Sequence, residues 1–132
     1  MLGPGNRVLG PIASSNQDRS RRTMVGMTRT ASEQITDEVT SWAGVEAGAG
    51  RRGEFAFKVG RKEIGHLHGD HAAHFFFPKE IWNELYAEGR VTHHPVFPKR
   101  EGPAARAIRD QADVRDVIEL MRINYDRVAA AR

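Results

Sequence analysis

The chain contains no cysteine. Disulfides, a thiolate nucleophile and cysteine-ligated zinc are therefore excluded. No stretch approaches the roughly eighteen apolar residues that a membrane-spanning helix requires. The N-terminus lacks the short apolar run of a secretory signal, so a cytoplasmic location and no membrane span are expected. There is no Gly-x-Ser-x-Gly elbow and no P-loop, and Gly3-Pro4-Gly5 makes no dinucleotide fingerprint. Serine hydrolysis and nucleotide binding thus lack their signatures. Net positive charge is lacking where a domain is expected. The formal net charge is +3, but Arg7, Arg19, Arg21, Arg22 and Arg29 against Asp18 give residues 1–30 a net of +4. The rest of the chain is then net −1. A tail rich in Gly, Ser, Asn and Arg has little to bury and is expected to be disordered. Its partners would be limited to weak, non-specific contact with nucleic acid.

What the chain does have is histidine in one place. Four of its six histidines, His66, His68, His71 and His74, fall within nine residues, and His93 and His94 make up the rest. Imidazole near neutral pH serves as acid, base, metal ligand or hydrogen-bonding core residue. The cluster marks where chemistry would sit without naming the chemistry.

The surrounding pattern predicts an α+β domain over residues 31–132, with a small, mainly antiparallel sheet and about three helices. Ile35, Val39 and Trp42 form an apolar stripe that predicts a helix over 32–46, with Ser32 as its cap. Residues 54–59 alternate in the strand period, and Gly60-Arg61 predicts a tight hairpin. A regular register places His66 opposite Phe55 and Ile64 opposite Phe57. It would put His66 and His68 on the face of Phe55 and Phe57, substantially buried, with Glu63 opposite Lys58. A third strand is expected over 73–77, a helix opened by Pro78 and ended by Gly89, an extended piece over 90–97 and a weak strand over 104–108. Val114, Val117, Ile118, Met121, Tyr125 and Val128 predict an amphipathic helix over 113–129, with Asp110 or Asp113 at its start.

His66 and His68, at i and i+2, can present two imidazoles to one ion, and His74 or His93 can add a third ligand. The metal set on this reading is His66, His68 and His93. A bound transition metal is compatible with the sequence and not required by it. The competing reading has these histidines bonding carboxylates or carbonyls at a sheet edge. His94 and Asp70 complete the candidate ligand-binding residues, Asp70 either orienting a histidine or satisfying its own turn. Phe75-Phe76-Phe77-Pro78 reads as core.

The segments Trp42-Ala43-Gly44-Val45-Glu46, Glu54-Phe55, Lys62-Glu63-Ile64-Gly65-His66-Leu67-His68-Gly69, Phe77-Pro78, Gly89-Arg90 with His93-His94, and Asn124-Tyr125-Asp126-Arg127 resemble the luciferase-domain family. The resemblance spans about residues 35–128. The histidine block is its most specific part, and the resemblance implies small, mostly uncharacterised domains, a few of them linked to oxidative chemistry. This chain has His74 where the family commonly has Asp, and Glu101-Gly102-Pro103 where it has Ser-Gly-Trp. The element order is also similar to small double-wing proteins suspected of binding DNA, an analogy of fold alone. The leading expectation is a ligand-binding or structural module with a histidine-lined cleft for a small molecule. The alternatives are a small oxidative enzyme, metal-dependent or not, and a nucleic-acid-binding protein, for which Lys99, Arg100, Arg106 and Arg109 are the only basic patch inside the domain.

Overall fold

The computed structural model describes residues 29–50 and 54–131. The expected tail therefore lies almost wholly outside the described residues. Ala31–Arg132 makes one structural unit. Its elements are α1 (Ala31–Thr40), β1 (Val45–Ala49), β2 (Phe55–Val59), β3 (Lys62–His68), β4 (Ala72–Phe76), α2 (Lys79–Ala87), β5 (Thr92–His93), β6 (Pro103–Ala107) and α3 (Gln111–Ala130). The chain is α+β, as its pattern predicts. Six strands form one sheet in the order β1-β2-β3-β4-β6-β5, and every neighbouring pair is antiparallel.

One strand departs from expectation. The apolar stripe predicts a helix running to residue 46, whereas α1 stops at Thr40 and residues 45–49 form β1. Gly44 turns the chain at φ 83°, a region glycine enters without penalty. Val45 then pairs with Val59 at the sheet edge. Pairing overrides the weak local preference of a Gly- and Ala-rich segment.

All three helices lie on one face of the sheet. Ile35 and Val39 from α1, Trp82 and Leu85 from α2, and Val114, Val117, Leu120 and Met121 from α3 pack with Phe57, Leu67, Phe75 and Ala104 of the strands. Gly65 belongs to this inner face. A Cβ there would lie 2.5 Å from Met121 Sδ and 3.0 Å from Phe75 Cδ1, so the bare glycine lets α3 approach. Asp110 caps α3 by accepting from the Asp113 amide at 2.9 Å. Arg106 of β6 binds Asp113 and Asp116, and Arg90 binds Asp116 and Glu119. The Arg106 hydrogen bond, with the Arg109 amide, holds the Asp113 carboxyl below the usual range.

The residues of the Asn124-Tyr125-Asp126-Arg127 motif tie this frame together. Asn124 is fully buried, and its Nδ2 donates to the carbonyls of Ile64 at 3.2 Å and Phe76 at 3.0 Å. Arg127 donates to Asn124 Oδ1 and orients the amide. The Tyr125 hydroxyl donates to the Ala43 carbonyl at 2.7 Å, pinning the α1–β1 turn.

Candidate functional site: a histidine groove on the uncovered face

The hairpin keeps its expected register only next to the turn. Val59 pairs with Lys62 and Lys58 with Glu63, but Phe57 pairs with Gly65, Ala56 with His66 and Phe55 with Leu67. Ile64 is the extra residue of a β-bulge. The expectation that His66 and His68 share the face of Phe55 and Phe57 is therefore overturned. They stand on the opposite face, beside Ala56, with Leu67 buried between them. The reason lies in the spacing of Ile64 and Leu67, three residues apart. A regular strand sends them to opposite faces, and exposing either would forfeit about 1.5–3 kcal/mol of burial. The bulge keeps both fully buried. Its backbone cost is limited, because the Ile64 carbonyl finds Asn124 and one ordinary hydrogen bond contributes only about 0.5–1.5 kcal/mol.

On the other face, which no helix among the described residues covers, His66 of β3 pairs directly with His74 of β4. His94, just past β5, bridges to Phe97 and brings its ring to 4.2 Å from that of His74, centroid to centroid. His68 completes the row, with its ring 4.9 Å from His66 and 4.3 Å from His74. His66, His74 and His94 each offer a ligand nitrogen, and these atoms all lie within 4.8 Å of one another. A closed tetrahedral zinc site has nitrogens roughly 3.3 Å apart, from metal–nitrogen distances of about 2.0–2.1 Å. Spacings of up to 4.8 Å are wider than that, so the rings would have to close inward to hold an ion.

Each ring is held differently. His66 Nδ1 donates to Glu63 Oε2 at 2.6 Å, which leaves Nε2 with its lone pair free. Glu63 thus orients an imidazole as well as standing opposite Lys58, and the strand period alone gives no sign of that role. His94 Nδ1 accepts from the Val96 amide at 3.0 Å. A neutral His94 therefore carries its proton on Nε2, and ligation through this ring requires it to rotate or to lose that proton. His74 Nδ1 is buried and has no hydrogen-bond partner among the described residues. The His74 pKa is lowered from its ordinary value near 6.5 to about 4, by burial first and then by repulsion from His94, His68 and His66. Burial, with repulsion from His66 and His68, also lowers that of His94. Both are neutral at pH 7, the form in which imidazole donates to a metal.

The row sits in a groove of about 680 Å³, a size suited to a small organic ligand. Gly48 and Ala56 keep one side of the floor low. Phe76, Val96 and Phe97 line the other side, and Phe76 and Val96 are 50% and 59% exposed.

The remaining candidates lie elsewhere. His93, expected as a metal ligand, is on the covered face with its ring 4.8 Å from Trp82 and 5.1 Å from Tyr86. Consecutive residues of an extended segment point to opposite faces, so only one of His93 and His94 can join the row. His71 is exposed in the β3–β4 turn. Asp70 Oδ1 accepts from the Ser32 amide at 2.8 Å, at the start of α1. Ser32, expected as a cap, is itself capped. The basic patch is largely engaged, with Arg106 held by Asp113 and Asp116 and Arg100 lying over the Phe97 ring.

Residues 61–124 match the luciferase-domain family model. The luciferase-domain match begins at the hairpin turn and ends at Asn124, so it takes in His66, His68, His74 and His94 together with the bulge and its clamp. No curated protein and no solved structure matches the chain. No helix among the described residues is long and apolar enough to cross a membrane.

Proposed function

We propose that the groove is a three-histidine transition-metal site that binds a small organic ligand at an open coordination position. The convergence of His66, His74 and His94 carries this reading. Three facial nitrogen ligands leave the vacant position that ligand-exchanging metal sites need. The unpartnered His74 Nδ1 supports it, since a buried polar atom without a partner costs about 1–3 kcal/mol and an ion or a ligand would remove that cost. The Glu63–His66 pair supports it too, because carboxylates commonly orient metal-bound histidines. Imidazole suits zinc, copper, iron and nickel, so the donor set defines a class of ions.

The test uses the untagged full chain, loaded with Zn(II) or Co(II) and desalted. About one equivalent is expected, together with a rise in stability of roughly 2.7 kcal/mol when free metal stands at a hundred times Kd. The combined His66→Ala, His74→Ala and His94→Ala variant should fold and lose both effects. Retention below about 0.1 equivalent of every first-row ion tried would overturn the reading, since an ordinary protein site holds its metal.

The luciferase-domain match favours a second reading, oxidative chemistry on the bound ligand. It is an analogy from family, and oxygen uptake by the metal-loaded protein with a candidate ligand would test it.

A further inference from the structure

Resting on the metal reading, we infer that the groove selects a flat apolar or aromatic molecule bearing a single anionic oxygen, the oxygen at the metal and the body against the wall of Phe76 and Phe97. Two independent features of the groove point to this class.

The first is the charge of the centre. His66, His74 and His94 are neutral donors, and a divalent ion held by them keeps its full +2 charge. Such a centre favours a carboxylate, phenolate or enolate oxygen over a neutral donor, since opposite charges attract strongly where water is partly excluded. The Arg100 guanidinium, 5.1 Å from the Phe97 ring centroid, adds a cation on the Phe97 side, while Lys58 stands between Glu46 and Glu63 on the other.

The second feature is the wall. Phe76, Tyr86 and Val96 are the exposed large apolar residues among those described, and two of the three line this one groove. Exposed apolar surface gathered at a cleft marks a binding site. The Phe76 and Phe97 rings stand 6.3 Å apart, and Phe76 is 6.2 Å from the His94 ring. The apolar surface thus begins beside a metal ligand, where a molecule anchored at the ion would lie. Glu46, Glu54 and Glu63 hold the other side of the groove, which leaves the Phe76 side to the apolar body.

The probes are cinnamate, acetate and cinnamyl alcohol, titrated into Co(II)-loaded full chain and followed by the cobalt absorption bands and by calorimetry. Cinnamate should bind at least tenfold more tightly than acetate, which lacks the body, and than the alcohol, which lacks the charge. Phe76→Ala should remove most of that advantage while leaving Co(II) stoichiometry unchanged. Phe76→Leu, which keeps apolar surface, should restore part of it and guards against a folding defect. Equal affinities for the three probes on cobalt-loaded protein would overturn this inference and leave the metal reading standing. Failure of Co(II) to bind would overturn both. Tight cinnamate binding that survives Phe76→Ala would show that the wall selects nothing, and would likewise overturn it.

Discussion

The two faces of the sheet differ in what their side chains do for the fold. The covered face is closed by three helices and filled by Phe57, Ile64, Leu67 and Phe75, all nearly inaccessible. The uncovered face sets four imidazoles side by side, with a buried nitrogen left unsatisfied and phenylalanine open to solvent. Adjacent residues of the same strands make these two surfaces. One buried nitrogen left unpaired and apolar rings left exposed on one face, with the other packed tightly, are what the proposed binding site requires.

The sharpest test of the contrast compares large changes on each side. Phe75→Ala should cost about 3–5 kcal/mol in urea unfolding, the usual loss for a core aromatic. The triple histidine-to-alanine variant should cost clearly less than Phe75→Ala, since removing the unpaired His74 nitrogen offsets packing lost at buried His94. A triple variant as unstable as Phe75→Ala would make the histidines core residues and erase the distinction between faces.

Asn124→Leu probes the link between the faces. Its amide holds the carbonyls of Ile64 and Phe76 from the covered side, while His66 and Phe76 project from the other. Leaving those acceptors unpaired should cost about 1–3 kcal/mol. The same variant should bind metal more weakly although it touches none of the ligands. Unchanged metal affinity in a destabilised protein would show that the faces are independent.

Glu63→Gln acts on the uncovered face alone. It should lower metal affinity about 10–100-fold, with stability nearly unchanged. An isothermal titration with Zn(II) at pH 7 measures it, and equal affinities would remove Glu63 from the site.

The last effect is that of acid on the metal-free protein. His74 has a folded pKa of about 4, below its unfolded value near 6.5. The unfolded chain therefore binds more protons between those limits, so stability falls as pH drops from about 6.5 toward 4. His74→Gln should flatten that part of the urea-midpoint profile. A wild-type profile already flat above pH 4 would contradict the lowered value.

Much of the frame is legible in the sequence, because it follows from periodicity and turn chemistry. The stripe from Val114 to Val128, the Gly60-Arg61 turn and the α+β class are read directly from residue spacing. β1 is not, because Val45–Ala49 has little strand character of its own and is held by pairing with β2. The position of the histidine row is legible and its face is not. A regular register along β3 puts the row on the covered side, while Ile64 and Leu67, both apolar and three apart, carry the contrary signal. His94 cannot be separated from His93 by sequence, since the choice depends on which face β5 turns toward Trp82.

The bulge at Ile64 makes the side of the sheet on which the histidines emerge a question of parity. Removing Ile64 alone would straighten β3 yet leave Gly65 opposite Phe57 and His66 opposite Ala56, so the histidines would keep their face. A strand of the same length that paired without the bulge would instead set His66 opposite Phe55 and send the row in among the helices. The face of the row is thus set by the bulge in a strand of this length, whatever the side chains around it do to affinity. A related chain that keeps the histidine block but lacks the residue at Ile64 would reach the same side of the sheet with a regular ladder.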